Sequence, residues 1–120
     1  MPNFRSDLSR GELYWLDWTP ARGSEQAGRR PALIVGSDAA NHNSHYPLTI
    51  VVAVSTVQRN ILTHVTVEPS ADNGLRERSA VKCEQLMTVS KDRMLTQIGR
   101  ISATDMARVA AALKRALTLD

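Results

Sequence analysis

Apolar residues along this 120-residue chain recur in short runs with the alternation of strands, and only the last segment shifts to a helical period. "GELYWLDW", Gly11 to Trp18, is rich in aromatic and branched side chains and predicts a strand. "ALIVG", Ala32 to Gly36, predicts a second. "LTIVVAVSTV", Leu48 to Val57, is continuously apolar and β-branched, as expected of a central strand covered on both faces. "THVTVE" alternates: Val65 and Val67 point one way, His64, Thr66 and Glu68 the other. "SAVKCEQLMTV", Ser79 to Val89, alternates again. It puts Val81, Cys83 and Gln85 on one face and Lys82, Glu84 and Leu86 on the other. "SKDRMLTQI" is read as one or two helical turns and "GRI" as a last short strand. The C-terminal segment is helical. Ser102 followed by Asp105 resembles a capping box, and Met106, Val109, Ala110, Leu113 and Leu117 form one apolar face.

Between these elements lie polar segments. Residues 1–10 read as a loose, flexible lead-in, followed by one domain over residues 11–120. "SDAANHNSHYP" reads as a surface loop and "PSADNG" as a turn. Five or six short strands closed by one helix predict a mainly β fold with some α, a small twisted sheet or partly open barrel.

Composition narrows the picture modestly. One cysteine, Cys83, excludes an intrachain disulfide and fits a reducing, cytoplasmic setting. No apolar run approaches the ~18 residues of a membrane span, and the N-terminus lacks the apolar stretch of a secretory signal. Net charge is +3, carried by twelve arginines against three lysines. Arginine's planar fork suits phosphate, but a GC-rich genome gives the same bias, so charge alone only hints at an anionic partner. His42, His45 and His64 lack the paired spacing of a metal site, and no phosphate-binding glycine pattern or nucleophile elbow is present.

The densest chemistry lies in "GSEQAGRRP", Gly23 to Pro31. Gly23 and Gly28 permit backbone angles closed to other residues, and Pro31 biases Arg30 toward extended geometry at the strand entrance. Arg30 therefore fits either an aimed guanidinium or a solvated surface arginine. Ser55 ends the most buried strand, where its hydroxyl needs a partner. A back-bond to the chain and a ligand contact both satisfy it. Cys83, sharing a face with Val81, reads as core. Trp15 and Trp18 read as core or dimer contacts rather than base-stacking platforms.

Four segments together carry a resemblance: "GELYWLDWTPARGSEQAGRRPALIV", "TIVVAVST", "LRERSAVKCEQLMTVSKDRM" and the closing helix. They closely resemble the MazF/PemK toxins of bacterial toxin–antitoxin pairs, from Arg10 onward. The resemblance implies a small SH3-like, partly open barrel with added helices, forming a homodimer. It implies cleavage of single-stranded RNA at short sequences, independent of the ribosome, with no metal and no cofactor. The family's arginine before the proline matches Arg30, and its strand-end hydroxyl matches Ser55. Glu25 and Gln26 match loop positions that bind RNA or organise the site. Arg29, His64 and Gln85 are further candidates for RNA contact or proton transfer. Lys82 and Glu84 match a basic–acidic pair active in one branch, which carries Arg and Asp there. An acidic, partly disordered antitoxin is the implied partner. The competing readings are a barrel toxin that inhibits DNA gyrase without catalysis, and a relative that binds RNA without cutting it.

Overall fold

The structure, a computed structural model, describes residues 3–18 and 28–119. Gly23, Glu25 and Gln26 lie outside the described residues. Six strands form one antiparallel sheet: β1 (Glu12–Asp17), β2 (Arg29–Ile34), β3 (Leu48–Ser55), β4 (His64–Val67), β5 (Ser79–Ser90) and β6 (Met94–Arg100). Their order is β4-β5-β3-β2-β1-β6. β4 and β6 form the two ends and do not pair, so the sheet curls without closing. A short helix α1 (Asp38–Asn41) precedes β3, and α2 (Ala103–Ala116) ends the fold.

β3 is central, and four consecutive residues, Val51 to Val54, are buried. Both faces of the sheet are covered, which explains why this strand shows no alternation in the sequence. Val52 and Val54 join Leu13, Leu33, Val65, Val81 and the inner face of α2 in one core. Val51 and Ala53 join Tyr14, Leu16, Ala32 and Ile34 in a second core on the opposite face. α2 starts as its sequence predicts, with Ser102 Oγ accepting from the Asp105 amide at 3.0 Å. Val109 and Ala112 are its buried residues, and Met106 and Leu113 pack beside them. Leu117, expected on that apolar face, falls at the C-cap and stays exposed.

The structure differs from the sequence reading in four places. Residues 4–10 are pinned rather than loose. Leu8 is fully buried in the second core, a contribution of about 1.5–3 kcal/mol for a leucine. Arg5 Nη1 donates to the Met94 carbonyl at 2.7 Å, and its guanidinium lies over the Tyr14 ring. Second, the helical reading of "SKDRMLTQI" holds only for a single 3-10 turn, Lys91–Arg93; from Met94 the chain is β6. Pairing with the free edge of β1 decides that segment, not its local propensity. Third, the loop at Ser37 to Pro47 contains α1, N-capped by Ser37. Fourth, β5 does not keep one alternation. Val52 pairs with Leu86, but the next residue, Ala53, pairs with Lys82. The intervening bulge puts Leu86 on the face of Val52 and Lys82 on the face of Ala53, so the two do not share a side.

Candidate active site

The second face of the sheet carries most of the described candidate residues toward one end. β2 and β3 pair Ile34 with Val51, Leu33 with Val52 and Ala32 with Ala53. Carried two residues further, that register sets Arg30 across from Ser55, on the face of Ala32 and Ala53. Ser55 pairs with Ala80 on its other side, and Ala53 pairs with Lys82. Lys82 in turn pairs with His64 of β4. Arg30, Ser55, Lys82 and His64 thus occupy two adjacent rows of one pleated face.

Each functional group is held by backbone geometry. Gly28 adopts φ +69, a left-handed angle that favours glycine, and its carbonyl accepts from the Trp18 amide at 2.9 Å. This bond closes the base of the β1–β2 connection one residue before the strand begins. The buried Trp18 indole then donates Nε1–H to the Arg30 carbonyl at 3.3 Å. Pro31 fixes the next φ. Arg30 is therefore clamped through its main chain, while its side chain stays exposed. Ser55 Oγ accepts from the Val57 amide at 3.1 Å. That bond uses a lone pair and leaves the hydroxyl hydrogen available to a ligand.

Lys82 is the most unusual member. It is 8 % exposed, yet makes no side-chain hydrogen bond or ion pair among the described residues. Its stem is covered while its ammonium remains within reach of solvent. Beside it, His64 Nε2 donates to Glu84 Oε2 at 2.8 Å. Thr63 Oγ1 donates to the other oxygen of the same carboxylate at 2.9 Å. His64 Nδ1 is buried and has no hydrogen-bond partner among the described residues. Burial pushes the Glu84 carboxyl up, but the hydrogen bonds from His64, the backbone and Thr63 outweigh it and hold the group below the usual carboxylate range. Glu84 is thus an ionised acceptor that orients His64, not a base of raised pKa. Thr63, which fixes Glu84, is a residue the sequence gives no reason to single out.

Other candidates separate from this face. Arg29 and Pro31 alternate away from Arg30, toward the exposed Trp15 on β1. Gln85 sits half-buried in the β5 bulge, between the two registers. Cys83 is buried, and burial, with the nearby Glu84 charge, pushes its thiol up to about 12. It is a core residue, as its pattern predicts. The two tryptophans part company: Trp18 is core, whereas Trp15 is 42 % exposed. Among the described residues no group of three histidine, cysteine or acidic side chains is placed to hold a metal ion. No described helix is long and apolar enough to cross a membrane.

An open six-stranded barrel with one packed helix, carrying an arginine and a hydroxyl on facing strand ends, defines a small-toxin fold. Residues 9–117 match the family described as the PemK-like, MazF-like toxin of type II toxin–antitoxin systems, and the chain belongs to that family. It is 33 % identical over 116 residues to the endoribonuclease MazF9 of Mycobacterium tuberculosis, covering 93 % of this chain and 98 % of that one. It is 35 % identical over 115 residues to the endoribonuclease MazF of Staphylococcus saprophyticus, covering 93 % and 92 %. Among solved structures, a mycobacterial endoribonuclease in complex with its cognate antitoxin superposes with a TM-score of 0.78 at 27 % identity, covering 94 % of this chain and 97 % of that one. MazF from Deinococcus radiodurans gives 0.77 at 28 % identity, covering 92 % and 96 %.

Proposed function

We propose that this protein is the toxin of a toxin–antitoxin pair and a metal-independent endoribonuclease that cleaves single-stranded RNA. The observation that carries the reading is the β2–β3 register, which, continued two residues past its last pair, Ala32 with Ala53, sets Arg30 across from Ser55, with Lys82, buried and without a partner among the described residues, one row away. Relatives of the same length named endoribonucleases support it.

The nucleophile is the substrate's own 2′-hydroxyl, so the reaction requires no external hydroxide. The 2′-oxygen attacks the adjacent phosphorus, the bond from phosphorus to the 5′-oxygen breaks, and a 2′,3′-cyclic phosphate and a 5′-hydroxyl result. Negative charge gathers on the non-bridging oxygens. Arg30 meets it with charge-assisted hydrogen bonds from a guanidinium whose backbone is already fixed. Ser55 donates its hydroxyl hydrogen to the same oxygens. Lys82 adds a second positive charge from an ammonium that reaches solvent above a covered stem. Glu84 holds His64 in one orientation beside that charge. Glu25 and Gln26 complete the RNA side of the loop. DNA lacks the nucleophile and is not cut. Two copies of the chain form the groove that RNA follows, and an acidic antitoxin segment competes for its basic lining.

The test is direct. Purified protein is incubated with single-stranded RNA in excess EDTA, beside Arg30→Ala and Ser55→Ala. Cleavage to cyclic phosphate ends, lost in Arg30→Ala, supports the reading. Intact RNA with the wild-type protein overturns it, and inhibition of gyrase under the same conditions would identify the alternative. Mapping the 5′ ends of cut transcripts gives the recognition sequence.

A further inference from the structure

Trp15 stands on the face of the sheet opposite Lys82 and Ser55, paired with Pro31, at the end where β2 and β3 bring Arg30 and Ser55 together. Two clefts flank its exposed indole. The larger, about 350 Å³, has Pro31, Leu75 and Ile98 as apolar walls and Arg76 and Glu77 at its rim. The smaller, about 280 Å³, runs past Leu95 to Arg29. Neither the Arg29 nor the Arg76 guanidinium makes a hydrogen bond or ion pair among the described residues. The loop that carries Arg76 is fixed rather than loosely placed. Asn73 Nδ2 donates to the Glu68 carbonyl at 2.9 Å, and Gly74, at φ +67, lies so close to the Ile98 backbone that no side chain fits there. The indole therefore has an apolar-walled slot on one side, a mixed cleft on the other, and at each end a guanidinium without a partner among the described residues. This arrangement suits a flat aromatic ring between two phosphates.

We infer that Trp15 is a stacking platform for one unpaired nucleobase of the RNA, next to the scissile linkage, with Arg29 and Arg76 on the flanking phosphates. The inference rests on the endoribonuclease reading and deepens it by naming a subsite for that substrate. The larger cleft is of small-ligand size. Pro31 and Thr56, its lining residues, are chain neighbours of Arg30 and Ser55, so a strand leaving the reaction centre reaches the slot by rounding the end of the sheet. Glu77 at the rim accepts from an exocyclic amino group, which favours cytosine or adenine over uracil in that slot. The sequence assigned Trp15 to core or dimer contacts; its exposure and the two unpaired arginines redirect it.

The test uses the full chain and a randomised single-stranded 12-mer RNA library, 2′-O-methylated so that it binds without being cut. Buried Trp18 serves as an internal reference. RNA is expected to quench the Trp15 part of the emission, and the quench is expected to vanish in Trp15→Phe. Trp15→Ala is expected to raise KM about ten-fold or more and to relax the preference at one position of the mapped sites. Arg76→Ala is expected to flatten the dependence of log affinity on log salt by about 0.7, the share of one single-strand phosphate contact. Unchanged emission on saturation with RNA, or identical KM and cut sites in Trp15→Ala, overturns the inference while leaving the enzyme reading intact. Protection of Trp15 from acrylamide in the RNA-free protein also overturns it, because a second copy of the chain then covers the indole. If the wild-type protein neither binds nor cuts RNA, the endoribonuclease reading itself has failed.

Discussion

Two lysines are nearly buried in this molecule, and they are buried in opposite ways. Lys91, 1 % exposed, donates to the Ala40 carbonyl at 2.8 Å and the Asn43 carbonyl at 2.9 Å. Those carbonyls belong to the end of α1 and the turn after it, where backbone acceptors lack helical partners. The surrounding cluster is satisfied too: Asn41 donates to the Gly36 carbonyl at 3.1 Å and accepts from Thr49 at 2.6 Å. Burial pushes the Lys91 pKa down, and the two carbonyls offset part of that cost. Lys82, by contrast, has its stem covered and, among the described residues, no partner for its charge. Its neighbour His64 keeps a ring nitrogen unbonded. A buried polar network with every member bonded holds a fold together. One with open valences is held ready for something that arrives.

The contrast can be broken most sharply at Arg30. Arg30→Ala is expected to keep the circular dichroism and unfolding midpoint of the wild type while cleavage of RNA falls by about 10²–10³. Equal loss of stability and activity would place Arg30 with the structural groups. The reverse is expected at Lys91. Lys91→Met leaves two carbonyls without donors and should cost about 1–3 kcal/mol in urea unfolding, with activity per folded molecule unchanged. Lys82→Met separates the two lysines directly. Its stability should change by no more than about 1 kcal/mol, because no bond is lost, while cleavage drops by about ten-fold.

Glu84 sharpens the comparison through pH. Its folded pKa is depressed, so the stability it adds is present above its unfolded value and is lost as pH falls through the folded value. Urea midpoints measured from pH 6 down to pH 2 should fall less steeply in Glu84→Gln than in the wild type below the usual carboxylate range. Coincident profiles would mean that the bonds from His64 and Thr63 do not stabilise the charged form. The smallest effect concerns Cys83. Its buried, protonated thiol should react with iodoacetamide at pH 8 only as fast as the protein opens, and RNA bound to the folded protein should slow that reaction rather than speed it.

Much of the architecture was legible along the chain because it rests on local periods. Alternation at Val65 and Val67, the unbroken run at Val51 to Val54, and the cap and stripe of α2 correspond to β4, β3 and the closing helix. The segment 94–98 was not legible, although the end of the same strand, Gly99 and Arg100, was read as strand. As a strand it exists only because β1 offers an unpaired edge. The β5 bulge was invisible for a related reason: nothing within "KCEQL" marks where the partner strand skips residues. The face on which Leu86 lies is therefore a property of the pair of strands, not of either one.

The same division runs through the site. Local pattern and the family resemblance singled out Arg30, Ser55, Lys82, His64 and Glu84 as chemical types at suggestive positions along their strands. Which of those sides meet, and which charges are left without partners when they do, depends on register between strands distant in sequence. The β2–β3 register, extended past its last pair, Ala32 with Ala53, brings Arg30 toward Ser55, and β4–β5 pairing sets Lys82 beside His64. Trp15 shows the limit most plainly. Its own strand gives it the parity of buried Leu13, yet the barrel ends beneath it, and only the curled sheet decides that the indole faces solvent. Local periodicity is written in the covalent chain; solvent exposure at the mouth of a barrel is set by where non-local strands stop covering one another.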